Sequence, residues 1–144
     1  MRVLVQRCDS ASVKVDNKIV GSIDKGMMIL VGFTQTDTSE NIDYMVDKVL
    51  NLRIYDDESG VMNKSILETG GSILSVSQFT LYADSRKGRR PSYINALNGE
   101  KAILLYEKFN NKLKQHIHVE TGIFGAEMKV ELINDGPITI MLEK

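Results

Sequence analysis

Ser72-Ile73-Leu74-Ser75-Val76-Ser77-Gln78-Phe79-Thr80-Leu81-Tyr82-Ala83-Asp84 is the run on which the reading of this 144-residue chain turns. Its first part is apolar and alternating, and it follows the Gly70-Gly71 break, so it predicts a buried strand over 72–78. Its second part ends that strand in hydroxyls and an amide. It then leads into a dense cationic loop, Arg86-Lys87-Gly88-Arg89-Arg90. Two readings of this join are open. One is an active site beside a polyanion, since loops positioned by rigid strands often carry function. The other is a strand end whose Ser and Thr only shape a turn.

Upstream, Met27 to Phe33 is a continuous apolar run with β-branched residues, the pattern of a central strand covered on both faces. Before it, residues 2–8 and 11–15 alternate and read as two strands joined around Asp9-Ser10. Asp16-Asn17 is a turn signal and 18–23 a return strand, which makes an N-terminal meander of about four strands. Asp37 and Glu40 have capping-box-like spacing, and Ile42, Met45, Val46, Val49 and Leu50 share a helical face, predicting a helix over 39–53. Ser65 to Glu68 is ambiguous.

Downstream, Pro91-Ser92-Tyr93 is a candidate short helix. Ala102, Leu105, Tyr106, Phe109, Leu113 and Ile117 predict a longer one over 100–117. Residues 128–133 alternate, Asn134-Asp135-Gly136-Pro137 reads as a tight turn, and 138–142 as the last strand. No repeat, linker or low-complexity tract divides the chain. The expected fold is a single compact α/β domain over 1–144, with a mixed or largely antiparallel sheet and two main helices.

Composition narrows the function classes. A net charge of −1 argues against indiscriminate coating of nucleic acid, so any phosphate binding is local, and only 86–90 is locally strong. Trp is absent and aromatics are few, which disfavours an extended stacking platform. No apolar run approaches the roughly 20 residues of a membrane span. Met1–Arg7 reads as an opening strand rather than a signal peptide. The single Cys8 rules out an intramolecular disulfide framework and fits a reducing cytoplasm.

Ser77 and Thr80 are candidate nucleophiles for hydrolytic chemistry, but no GxSxG elbow is present. His116 and His118, the only histidines, fall at a helix end and read as solvent-facing. A Ser-His-Asp relay is therefore not expected. Backbone N–H groups around Phe79 and Thr80, with the Gln78 amide, can instead bind and polarise a carbonyl. Gly136-Pro137 is either a rigid rim of carbonyl groups or an ordinary hairpin turn; an X-Pro bond is the one place where cis costs only about 0.5–1 kcal/mol. An RNA-binding module without catalysis, a hydrolase holding a metal on His116, His118 and acidic residues, and a purely structural dimerisation domain are the competing readings.

Five motifs carry a family resemblance that runs from end to end. They are Met1–Arg7 with Ala11-Ser12-Val13, then Ser77–Asp84, Arg86–Ser92, Thr121–Ala126, and Asn134–Thr139. In this order and separation they resemble the D-aminoacyl-tRNA deacylases of the D-tyrosyl-tRNA deacylase type. The resemblance implies a partly barrel-like sheet, a homodimer, and hydrolysis of the ester between a D-amino acid and the terminal adenosine of tRNA. It also implies action on mischarged glycyl-tRNA, no cofactor or metal, no membrane partner, and a cytoplasmic location. Ser77, Gln78, Phe79 and Thr80 are then the expected catalytic segment. Gly136 and Pro137, joined by a cis bond, would reach into the partner's site and reject L-amino acids by steric exclusion. Arg7 is expected to help fix that turn. Arg86, Lys87, Arg89 and Arg90 are expected to bind tRNA. Either the Thr80 hydroxyl or the ribose 2′-hydroxyl of the tRNA would do the activating work, and the resemblance favours the second.

Overall fold

A computed structural model describes residues Met1–Lys144. Its spine is β1 (Arg2–Val15), a single long strand where the sequence suggested two. Asp9-Ser10 does not turn the chain; it bulges it, with register shifts against the facing strand at Cys8 and Ser10. The bulge exchanges faces, as one inserted residue must in a structure of period two. Val3 and Val5 therefore join the larger core, while Cys8, Ala11 and Val13 join the smaller one.

β2 (Lys18–Ile23) and β3 (Gly26–Gly32) lie end to end along one edge of β1, β2 on residues 11–15 and β3 on residues 2–8, both antiparallel. Asp16 and Asn17 take positive φ in the β1–β2 turn, as a tight two-residue hairpin requires. The chain then crosses over through α1 (Ser39–Leu50), the small ribbon β4 (Tyr55–Asp56) with β5 (Met62–Lys64), and the short α2 (Ile66–Thr69). It re-enters the sheet as β6 (Ser72–Ser77), parallel to β3. A second crossover through α3 (Gly99–Leu113) brings in β7 (Val119–Thr121), parallel to β6. β8 (Lys129–Glu143) runs antiparallel along the other edge of β1. Gly21 of β2 comes so close to β7 that a Cβ there would stand 2.8 Å from the Thr121 carbonyl oxygen. Only glycine permits that approach, and it leaves the sheet nearly closed and barrel-like.

The helices cover one face. Ile42, Met45, Val49, Tyr106, Phe109 and Leu113 pack on Met27, Ile29, Val31 and Ile73. Inside the curl, Met28, Leu74 and Val76 meet Cys8, Ala11, Val13 and Ile23. β3 is thus covered on both sides, which is why its sequence is apolar throughout. The helix ends are shorter than their periodicity suggests. Asn51 stops α1 by bonding the Asp47 carbonyl with both its backbone N–H and its side chain. The α1 cap is Thr38 with Asn41 rather than Asp37 with Glu40; the Asp37 carboxylate is taken up by the Met1 ammonium at 2.5 Å and the Thr34 N–H at 2.8 Å. Ser65 and Glu68 form a reciprocal cap on α2, which settles the ambiguous stretch. No helix is long and apolar enough to cross a membrane.

Asn134–Pro137 is not a hairpin turn. Cys8 faces Asn134 and Gln6 faces Thr139, so Asp135 to Ile138 lie opposite Arg7 alone. The three extra residues form a large bulge inside one strand, and both flanks stay paired with β1.

Candidate active site

Strands β3 and β6 run parallel and end together, Val31 opposite Ser77. One further bond continues the ladder, the Gln78 N–H donating to the Val31 carbonyl at 2.7 Å. The chain then leaves the sheet in a 3-10 helix, Phe79–Tyr82. Gly32 makes the departure possible. A Cβ there would stand 2.8 Å from the Gln78 carbonyl oxygen and 3.2 Å from the Leu81 Cβ. The Arg2 guanidinium holds the far end of the turn, donating to the Leu81 carbonyl at 2.8 Å and lying 4.6 Å from the centre of the Tyr82 ring. Burial pushes the Tyr82 phenol up to about 12.

A cavity of about 580 Å³ opens beyond these carboxyl ends of parallel strands, the usual place for a ligand in such sheets. Ser77, Gln78 and Phe79 form one wall. Tyr93, Asn98 at the start of α3, and Phe124 contribute others. Most of the lining is apolar, with a few polar groups to orient a ligand. Tyr106 braces the wall from behind: its hydroxyl donates to the Ser75 carbonyl at 2.8 Å, and burial raises its pKa.

The polar chemistry at the wall is specific. The Gln78 amide donates to the Thr80 hydroxyl, and no imidazole or carboxylate hydrogen-bonds that hydroxyl. Phe79 and Thr80 occupy the first turn of the 3-10 helix, where amide N–H groups have no acceptor within the helix. Thr80 itself is half-buried beside the cavity rather than on its wall. Neither His116 nor His118 lines the cavity; His118 is exposed and lies 3.1 Å from Glu120.

The basic loop hangs beside this site. Asp84 and Ser92 exchange backbone bonds of 2.8 and 2.9 Å, closing residues 85–91 into a loop. Pro91-Ser92-Tyr93 is therefore bridged and extended, not helical. Arg86 does not project freely. Its guanidinium donates twice to the Asp84 carboxylate, at 2.9 and 2.7 Å, which holds that carboxyl well below the usual range. Lys87, Arg89 and Arg90 are exposed and form no ion pair.

Gly136 and Pro137 are exposed, their peptide bond is cis, and neither lines the cavity. They lie beside Arg7, which pairs with Met27 near the start of β3, whereas Ser77 pairs with Val31 near its end. Along the strand direction the two places are four residues apart, roughly 13 Å, and β1 and β3 lie between them across the sheet. Beneath the bulge, Arg7 is buried. Its Nη1 donates to the Ile54 carbonyl at 2.5 Å, and its Nε lies 2.8 Å from the Asp135 carboxylate. Tyr93, Asn98 and Phe124 are not evident as site residues from sequence. They come from separate segments; Phe124 lies within the Thr121–Ala126 motif and Tyr93 at the foot of the basic loop, but neither position by itself points to the cavity.

Known proteins share both sequence and shape with this chain. A family model described as D-Tyr-tRNA(Tyr) deacylase matches residues 4–143. A D-aminoacyl-tRNA deacylase of Clostridium botulinum is 54% identical over 99% of this chain and 97% of its own length. One of Bacillus velezensis is 55% identical over 99% and 98%. A solved structure titled c-Myc DNA Unwinding Element Binding Protein superposes with a TM-score of 0.95 at 39% identity, covering 100% of this chain and 99% of that one. A probable eukaryotic D-amino acid tRNA deacylase superposes at 0.84 with 21% identity over 98% and 97%, a likeness of fold. The match is thus to the whole domain, with the motifs at 77–84 and 134–139 inside it, and the chain belongs to the D-aminoacyl-tRNA deacylase family of hydrolases.

Proposed function

We propose that this chain hydrolyses the ester linking a D-amino acid to the terminal adenosine of tRNA, and acts likewise on mischarged glycyl-tRNA. The cavity beside Ser77–Thr80 receives the aminoacylated nucleoside. The observation that carries this reading is the state of the Thr80 hydroxyl, which accepts from the Gln78 amide and has no base beside it. A hydroxyl so placed is not activated as a nucleophile. The ribose 2′-hydroxyl beside the ester instead activates a water, which attacks the ester carbonyl and releases the amino acid and the 3′-hydroxyl of the tRNA. The Phe79 and Thr80 amides stabilise the developing oxyanion, and the Gln78 amide and Ser77 help position the carbonyl. The reaction then needs no metal or cofactor, and the protein works in the cytoplasm, where aminoacyl-tRNA is made.

Chirality is tested by a second copy. Gly136 and Pro137 are exposed and stand apart from their own chain's cavity, so they act in the partner's site of a homodimer. Their carbonyls occupy the space that an L side chain needs, while a hydrogen or a D side chain points elsewhere. Arg7 holds this rim through Asp135 and the Ile54 carbonyl. Lys87, Arg89 and Arg90, with Arg86, receive the acceptor-end phosphates.

The direct test is to incubate the protein with matched D- and L-aminoacyl-tRNA and measure released amino acid, with and without exhaustive chelation. Rapid release from the D form alone, insensitive to chelation, is expected. Binding without release would mean an RNA-binding module, and loss on chelation a metal hydrolase.

A further inference from the structure

We infer that Tyr93, together with Phe79, forms a stacking platform for the base of the nucleotide that precedes the terminal adenosine. The inference rests on the reading that the cavity receives the aminoacylated end of a tRNA, and it extends the site outward by one nucleotide. Three large apolar side chains stand exposed at the cavity mouth and in the turn that frames it, Phe79 at 55%, Tyr93 at 44% and Ile94 at 75%. Phe79 and Tyr93 meet edge to face, their ring centroids 5.1 Å apart and their planes at 72°. In that geometry the edge of one ring covers a face of the other, and the ring surface that stays exposed is what a flat ligand can meet. Adjacent exposed apolar side chains at the rim of a cavity are the kind of surface that marks a binding site.

The segment carrying Tyr93 is fixed on both sides. Asp84 and Ser92 bridge just before it, and Thr34 and Ala96 bridge just after it. The Ala96 N–H donates to the Tyr93 carbonyl at 3.0 Å, and the Thr34 hydroxyl donates to the Asn95 carbonyl at 2.7 Å. The Tyr93 backbone is thus anchored on both sides, and its ring stands exposed from that anchored segment. The cations Lys87, Arg89 and Arg90 sit in the loop closed by the first of these bridges. Aromatic faces beside a basic track are how proteins hold unpaired nucleotides, because every base has a π-face and every linkage a phosphate. The cavity of about 580 Å³ suits a single nucleoside with its aminoacyl group. The preceding nucleotide must therefore lie at the mouth, where the aromatic pair stands and the loop can reach its phosphate.

The test compares two substrates of one D-amino acid: the 3′-aminoacylated adenosine alone, and the same ester on cytidylyl-adenosine. The wild-type protein is expected to favour the longer substrate in kcat/KM. Tyr93→Ala should lower that ratio roughly ten-fold, and Tyr93→Phe should keep it. The chain has no tryptophan but five tyrosines, so Tyr93→Trp places its single indole at this position, and that indole is excited selectively at wavelengths where tyrosine does not absorb. Its emission should be quenched by unesterified cytidylyl-adenosine and much less by adenosine. A ratio unchanged in Tyr93→Ala, or equal quenching by the two ligands, would overturn the platform while leaving the deacylase reading intact. Failure of the wild-type protein to cleave either substrate or D-aminoacyl-tRNA itself would overturn the deacylase reading, and the platform with it.

Discussion

Arg7 on β1 and Asp135 on β8 meet directly beneath the Gly136-Pro137 bulge, Nε to Oδ2 at 2.8 Å. The same guanidinium donates to the Ile54 carbonyl at 2.5 Å and lies 3.9 Å from Asp56. One planar fork therefore ties the inserted residues of β8 to the β4 ribbon. A lysine ammonium is a point charge and cannot hold these groups at once. Arg7→Lys should lose about 2 kcal/mol in urea denaturation, the scale of a hydrogen bond to a charged group. It should also raise hydrolysis of L- relative to D-aminoacyl-tRNA, because the rim is freed. Wild-type stability with an unchanged D/L ratio would show that Arg7 does not hold the rim.

The Gln78–Thr80 contact makes a separate prediction about the chemical step. Thr80→Ala removes an acceptor for the Gln78 amide but no activated nucleophile, so most of kcat should survive. Replacing the terminal adenosine by its 2′-deoxy form should instead cost roughly 10²–10⁴-fold, the range of a lost acid–base group. A folded Thr80→Ala protein that binds tRNA but releases nothing would return Thr80 to the role of nucleophile.

Charge in the 86–90 loop is unequal, although the sequence presents four similar cations. Arg86 is chelated to Asp84, whereas Lys87, Arg89 and Arg90 are unpaired. Neutralising each unpaired cation in turn should flatten the salt dependence of tRNA binding, by about 0.7 in the log–log slope per phosphate contact to a single strand. Arg86→Gln should change the slope less. Equal effects at all four positions would mean that Arg86 leaves Asp84 when tRNA binds.

How far the sequence reaches depends on how local the deciding interactions are. Met27–Phe33 reads correctly as a central strand because burial on both faces leaves its mark on every residue of the run. The faces of α1 and α3 are equally plain, but their ends are not. Asn51 and the chain beyond Leu113 decide those by bonds that periodicity does not record. Asp9-Ser10 and Asn134–Pro137 have turn composition, yet both are bulges. What separates a bulge from a turn is whether the facing strand continues, and that is a long-range fact. Ser77, Gln78 and Phe79 fall together on one cavity wall because one strand end carries all three, whereas Thr80 lies just off it. Tyr93, Asn98 and Phe124 join it from three other places in the chain.

Cys8 offers a pH-dependent check on the smaller core. Burial is the main cause that lifts its thiol from an ordinary 9.0 to about 11, with Asp9 and Asp135 adding to the rise and a Met28 backbone contact opposing it. The fold favours the protonated thiol. This contribution to stability is complete below about pH 9 and is lost as pH rises towards 11. Cys8→Ala should therefore show a shallower fall in urea midpoint across that window than the wild type. The thiol should also resist alkylation at pH 8 until the protein unfolds. Parallel pH profiles for the two proteins would contradict this.

Gly136 tests the partner's role most directly, because its own chain has room to spare. A Cβ added there meets nothing nearer than the Asn134 amide nitrogen at 3.8 Å. Gly136→Ala should fold with nearly unchanged stability, within about 0.5 kcal/mol, as for other exposed positions. In the proposed dimer the added methyl enters the partner's site, so hydrolysis of D-aminoacyl-tRNA should fall without loss of fold. Gly32→Ala supplies the complement, since its Cβ would press on the Gln78 carbonyl and displace the chain's own wall. Refolding the two inactive proteins together gives mixed dimers in which one intact wall faces one intact Gly-Pro rim. Activity that appears only on mixing is the expected result. If the mixture stays as inactive as its parents while mixed dimers demonstrably form, the rim and the wall do not belong to different chains.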